Sequence, residues 1–197
     1  MPSKIVTLWP TTELTSQRTD LDPRVPGLRE DTVVRLRELG VDVYLAEDEQ
    51  DVTDRIADAD VYYSRLISSE ALSVATELKW FQSSVAGMDG FWFSELRQSA
   101  VTITNTRGIY SDVISDHLFG FVLCFARGLH QFARLRRWEK TAVPFTHLGG
   151  ATLGVVGLGG IGLAVAARGH TSGMRIIGLD PAPKGKPAYI EKVYPPE

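Results

Sequence analysis

Between Thr152 and Asp180 the chain runs Leu153-Gly154-Val155-Val156, then Gly157-Leu158-Gly159-Gly160-Ile161-Gly162, then a helical pattern, and then Arg175–Leu179 with Asp180 at its end. An apolar strand, a G-x-G-x-x-G turn, a helix, a second strand and an acid 18 residues past the last glycine form the dinucleotide fingerprint in its full context. Gly157 is expected to allow the tight turn, Gly159 to leave room for a pyrophosphate, and Gly162 to let the helix lie close to the sheet. Unpaired backbone N–H groups at the positive end of that helix suit a phosphate. Asp180 is expected to accept hydrogen bonds from the adenosine ribose and to repel a 2′-phosphate, which favours NAD over NADP; Lys184 and Lys186 soften that preference. A ligand-free glycine turn is the plainer alternative.

The first hundred residues read as alternating strands and helices. Strands are expected at Lys4–Trp9, Val41–Leu45, Val61–Tyr63, Trp80–Gln82 and Val101–Thr104. Helices are expected at Leu28–Leu39 (stopped by Gly40), Glu70–Leu78 and Phe91–Gln98, with residues 46–60 left as a polar segment. Such alternation implies right-handed crossovers and a mostly parallel sheet, so the lobe is α/β and flavodoxin-like. From Ser111 an apolar stripe (Ile114, Leu118, Phe121, Val122, Phe125, Leu129, Phe132) predicts a helix that, carried to Trp138, has 28 residues and is about 42 Å long. It reads as the connector between two lobes, with a homodimer contact through 111–138 as a second role. Arg134, Arg136, Arg137 and Lys140 would complement its last turn. Five of the ten prolines fall in the last seventeen residues. That tail is therefore expected to form neither a regular helix nor a central strand, leaving the second lobe with one β-α-β unit.

Composition closes off several classes. The 24 Asp and Glu against 21 Lys and Arg give a net charge of −3, without the basic excess of a nucleic-acid binder. Residues 141–167 carry no Asp, Glu, Lys or Arg, yet seven of the twenty residues 148–167 are glycine, which favours strand–turn–helix over a membrane span. With no signal-peptide core and one cysteine, Cys124, read as a buried thiol, the cytoplasm is the expected compartment. His117, His130, His147 and His170 show no metal-ligand spacing, so no metal is expected. His117, beside Asp116, reads as a buried hydrogen-bonded histidine or a proton donor. The acids Glu47, Asp48, Glu49, Asp51 and Asp54 read as a solvated face rather than a cation site.

The run Gly150–Gly162, followed by Gly173–Asp180, closely resembles the D-isomer-specific 2-hydroxyacid dehydrogenases. Ser83-Ser84-Val85-Ala86-Gly87-Met88-Asp89 is similar to that family's substrate loop, and Thr104-Asn105-Thr106-Arg107-Gly108 with Ser115-Asp116-His117 to its lead into the interdomain helix. The resemblance implies residues 1–104 as the N-terminal part of a substrate lobe and 105–197 as the interdomain helix with an incomplete NAD-binding Rossmann domain. It implies that backbone N–H groups of Val85, Ala86 and Gly87 hold the substrate carboxylate near the nicotinamide, although an ordinary strand-to-helix turn would suit Gly87 equally. Gly157, Gly159, Gly160, Ile161, Gly162 and Asp180 would hold NAD, with Gly160 standing where the family often has arginine. The substrate would be a 2-hydroxy or 2-keto acid. The family's catalytic arginine, carboxylate and histidine have no match, so no residue is assigned a catalytic role, and the chain is expected to be a C-terminally truncated member. The alternative is a non-catalytic module that binds nucleotide or pairs with a full-length homologue.

Overall fold

The computed structural model describes residues 3–8, 30–137, 143, 145–182 and 185–197. The chain divides into two compact units, Met1–Arg107 and Gly108–Glu197.

The first unit is built on five strands, β1 (Lys4–Leu8), β2 (Asp42–Ala46), β3 (Val61–Ser64), β4 (Trp80–Ser83) and β5 (Thr102–Thr104). They form one sheet in the order β2-β1-β3-β4-β5, with every pair parallel. This is the doubly wound, flavodoxin-like arrangement. Helices α1 (Glu30–Glu38), α2 (Glu49–Arg55), α3 (Ser69–Val74) and α4 (Ser94–Gln98) connect the strands. The β-branched and aromatic residues of the strands supply the core. Phe81 is fully buried, stacked on Tyr62 at 5.6 Å and met edge-on by Phe91 at 5.5 Å, with Val6, Ile56 and Leu96 around it.

Helix α2 lies in the segment expected to be merely polar. Asp48 caps it, accepting from Asp51 N at 2.8 Å, and Asp51 in turn accepts from the Tyr44 hydroxyl and from Glu47 N. The acids at 47–54 therefore serve the local fold, and among the described residues no group of His, Cys, Asp and Glu is arranged to hold a metal ion. Helix α1 ends where Gly40 takes φ +79°, the left-handed stop that an L side chain resists. Leu28 and Trp9, expected to open α1 and close β1, lie outside the described residues.

The second unit opens with α5 (Ser111–Ala126) and α6 (Leu129–Phe132), followed by β6 (Thr152–Val156), α7 (Gly160–Thr171), β7 (Arg175–Leu179) and β8 (Ile190–Tyr194). The expected 28-residue helix is thus two helices. Gly128 breaks it, adopting φ +65° with its Cα against the Val143 side chain, so that a Cβ there would collide with Val143 Cγ1. The arginines 134 and 136 follow α6 rather than closing a long helix, and Trp138 and Lys140 lie outside the described residues. The apolar stripe of the expected connector is largely exposed at Ile114, Phe121, Phe125, Leu129 and Phe132. The buried face of α5 is instead Ser115 and Phe119. His117 is exposed, edge-on to Phe121 at 4.8 Å, and Cys124 is half-buried rather than buried.

Strand β8 corrects the reading of the proline-rich tail. The prolines bracket it at 187 and 195 without interrupting it, and it pairs in parallel with β7 to give a three-stranded sheet, β6-β7-β8. Arg175 of β7 grips Glu191 of β8 with two nitrogens, at 3.1 and 2.9 Å. Among the described residues no helix is long and apolar enough to cross a membrane.

Candidate cofactor and carboxylate sites

The glycine turn of the second unit is shaped by three separate constraints. Gly157 has φ +86°, a conformation that L side chains rarely adopt. Gly162 lies so close to the turn that a Cβ would run into the Gly157 carbonyl oxygen and approach Val155 Cγ1 at 3.2 Å. Leu158, between them, points inward: it is 3% exposed and fills the space over Gly178, where a Cβ would come within 2.8 Å of Leu158 Cδ1. Neither Leu158 nor Gly178 stands out in the sequence reading. The only signal is a glycine two residues before the acid.

Gly159 is different. Its φ is −72°, and a Cβ built there meets nothing within 4 Å. The turn therefore leaves open space in front of Gly159, at the N-terminus of α7, where the first N–H groups of the helix have no intrahelical acceptor. Ile161 is exposed on the same first turn. A Cβ at Gly160 would meet the Ser111 hydroxyl at 2.9 Å, so a bulky residue there requires Ser111 to turn aside.

Asp180 stands at the end of β7. Its Oδ2 accepts from Leu158 N at 2.7 Å and its Oδ1 from Ala182 N at 2.8 Å, which ties the acid to the glycine turn. An ionised carboxylate has about four acceptor positions, so capacity remains for hydroxyl donors. These features fit the pyrophosphate and ribose of a dinucleotide: orphan N–H donors, space before Gly159, and a held acid one strand away. Lys186 donates to the Glu191 carbonyl at 2.9 Å, and Lys184 lies outside the described residues. Arg168, on the far part of α7, bridges to Asp116 of α5 at 2.7 Å and to Asp112 at 3.5 Å, a clamp that the sequence reading missed because the partners lie more than fifty residues apart.

In the first unit, Val85, Ala86 and Gly87 follow β4 at the carboxyl edge of the sheet, where open parallel sheets receive ligands. Ser83, fully buried, donates to the Arg65 carbonyl at 2.9 Å and receives Val85 N at 3.3 Å. Thr106 donates its hydroxyl to the Ser84 carbonyl at 3.1 Å and its N–H to the Val85 carbonyl at 3.3 Å. Asn105 Nδ2 donates to the Ala86 carbonyl at 2.7 Å. Gly87 needs no left-handed backbone, and a Cβ on it would meet nothing within 4 Å.

Comparison with known proteins agrees with both units. Residues 119–195 match the D-isomer specific 2-hydroxyacid dehydrogenase, NAD binding domain. A glyoxylate reductase of Korarchaeum cryptofilum is 31% identical over 139 residues, 66% of this chain and 42% of that protein. A D-3-phosphoglycerate dehydrogenase of Methanocaldococcus jannaschii is 31% identical over 161 residues, 78% of this chain and 31% of that protein. The crystal structure of a D-isomer specific 2-hydroxyacid dehydrogenase family protein from Aeromonas salmonicida shares the fold, with a TM-score of 0.71 at 23% identity over 99% of this chain and 58% of that one. The chain thus spans less than half the length of these two curated relatives. With a glycine turn, a held acid and a parallel sheet matched to that domain, residues 119–195 belong to the NAD-binding domain of the D-isomer-specific 2-hydroxyacid dehydrogenase family, and the cofactor they serve is NAD.

Proposed function

We propose that this chain carries the nucleotide-holding and carboxylate-holding parts of an oxidoreductase that moves hydride between NAD(H) and a small 2-hydroxy or 2-keto acid. The observation that carries the reading is the open space before Gly159 at the α7 N-terminus, in a turn whose Leu158 N–H is fastened to Asp180. In this reading the N–H groups of Gly159, Gly160 and Ile161 receive the pyrophosphate, and Gly157 and Gly162 keep the turn tight enough for them to do so. Asp180 accepts the ribose hydroxyls, and its charge disfavours a 2′-phosphate. Bound NAD(H) supplies or accepts the hydride. The N–H groups of the Val85–Gly87 turn hold the carboxylate of the acid, which fixes its orientation. The relatives that support this substrate class are a glyoxylate reductase and a D-3-phosphoglycerate dehydrogenase.

Polarising a 2-keto group and protonating the developing alkoxide require a cation and an acid. Neither role is assigned within residues 1–197, and in the proposed enzyme both come from outside them. The compartment proposed is the cytoplasm, consistent with a single thiol and no disulfide. A second copy covering the exposed row Phe121, Phe125, Leu129 and Phe132 would give the homodimer expected from 111–138.

Fluorescence titration with NADH and NADPH tests the cofactor half. NADH is expected to bind at least about tenfold more tightly, a difference of about 1.4 kcal/mol; equal or tighter NADPH binding sinks the role given to Asp180. For the chemistry, the chain is extended with the C-terminal portion of the Korarchaeum relative and assayed for NADH oxidation with glyoxylate. Turnover supports the enzyme reading. NADH binding that persists without turnover favours the non-catalytic nucleotide module.

A further inference from the structure

We propose that Asn105 and Thr106 are positioning residues that set the direction of the Ala86 and Gly87 N–H groups toward a bound carboxylate; this deepens the reading of Val85–Gly87 as the carboxylate-holding turn and rests on it.

The argument begins with the peptide unit. A trans peptide is planar, and its C=O and N–H point in opposite directions. Fixing the carbonyl of one residue therefore fixes the N–H of the next. The carbonyls of Ser84, Val85 and Ala86 are held by the Thr106 hydroxyl at 3.1 Å, the Thr106 N–H at 3.3 Å and the Asn105 side-chain amide at 2.7 Å. In a regular strand successive carbonyls alternate between sides. Here three in a row turn to the same two residues.

The consequence for the N–H groups follows unit by unit. The Ser84 carbonyl directs Val85 N–H the other way, where Ser83 Oγ receives it at 3.3 Å. The Val85 and Ala86 carbonyls direct the N–H groups of Ala86 and Gly87 away from 105–106. Among the described residues neither of these two N–H groups has a protein acceptor. Two adjacent, unpaired N–H groups pointing to one side, with nothing within 4 Å of a Cβ at Gly87, form a small anion-binding concavity of the kind that captures carboxylates. Each hydrogen bond accepted by a carbonyl also polarises its peptide, which strengthens the N–H on the opposite end.

The residue types match the task. The Ala86 carbonyl only accepts, so the Asn105 group facing it is the NH₂. The register Gln82↔Thr104 between β4 and β5, carried two residues on, brings Thr106 beside Ser84. The bracket is therefore a continuation of the sheet by side chains after the strands have ended.

The test follows the Ala86 and Gly87 amide signals by two-dimensional NMR during titration of the 197-residue chain with glyoxylate. Asn105→Leu is expected to weaken glyoxylate binding about tenfold, and Thr106→Val about threefold to tenfold, the range of one lost hydrogen bond. Thr106→Ser keeps the hydroxyl and is expected to stay within about twofold of the wild type. NADH affinity, read on the same samples, is expected to remain unchanged in all three, and the melting temperature of Thr106→Val to stay close to that of Thr106→Ser. Glyoxylate shifts at Ala86 and Gly87 that persist with wild-type affinity in Asn105→Leu and Thr106→Val overturn the positioning role alone. No shift in the wild type overturns the carboxylate-holding turn and this role with it.

Discussion

At Gly157–Gly162 the backbone itself demands glycine at two positions, whereas at Val85–Gly87 the shape of the turn is imposed from outside by Ser83, Asn105 and Thr106. The first turn is written into the covalent chain: a positive φ at Gly157 and a near-collision at Gly162. The second is written into hydrogen bonds with Ser83 beside it and with Asn105 and Thr106, nineteen to twenty-two positions away. Each turn nevertheless contains a glycine that the fold does not require. Gly159 and Gly87 have ordinary backbone and open space where a Cβ would go. The difference teaches which glycines the fold requires and which it leaves with open space in front of them.

That distinction breaks most easily at Gly162. Gly162→Ala is expected to destabilise the second unit by about 3 kcal/mol or more, because its Cβ meets backbone that cannot yield cheaply; a thermal melt showing wild-type stability would contradict the close packing. Gly157→Ala comes next, at about 1–2 kcal/mol for the strained φ. Both are expected to lose NADH binding as a consequence of altered structure. Gly159→Ala is the sharper probe. Its stability is expected to stay within about 0.5 kcal/mol of the wild type, while NADH affinity falls by about tenfold or more. Parallel retention of both would mean that nothing approaches Gly159. Gly87→Ala is expected to leave stability and NADH affinity alone and to weaken only glyoxylate binding, so a change in NADH affinity there counts against the separation of the two turns.

The smallest effect is electrostatic and is present in both units. Lys79 holds the Asp60 carboxyl below its ordinary value, helped by Lys4 N–H, and Arg175 does the same for Glu191. A carboxyl lowered in the folded state contributes stability that is complete above its ordinary range and is lost as pH falls through the lowered value. Glu191→Gln is therefore expected to lower the melting temperature slightly at pH 7, and the difference is expected to shrink as pH falls through the lowered Glu191 value. Both pairs are exposed, so added salt should shrink the difference. A gap that widens on acidification would contradict the sign.

Much of the architecture was legible because its signals are local. Strand–turn–helix with its glycines, the alternating strands of the first unit and the stop at Gly40 all lie within a few residues of one another. What escaped did so for identifiable reasons. Helix α2 is short and polar, and only the Asp48-to-Asp51 cap marks it. The apolar period continues across Gly128, so periodicity alone cannot see a break that comes from contact with Val143. Counting prolines hid β8, since prolines beside a strand leave its ladder intact. The bracket at Asn105 and Thr106 joins residues nineteen to twenty-two apart, and the Arg168 clamp residues more than fifty apart. No window of local sequence contains either.

The double attachment of Asp180 bears on how this protein could acquire a different coenzyme. The acid proposed to discriminate against a 2′-phosphate is also the acceptor for Leu158 N and Ala182 N. Replacing it with a short neutral or basic residue would remove the repulsion and, in the same stroke, leave the glycine turn without its tether. A change of coenzyme by a single substitution is therefore opposed by the turn it must preserve. A route through paired changes is open, in which residues 158 and 182 gain new acceptors before the acid is lost. Lineages that switched would be expected to carry those compensations as a set.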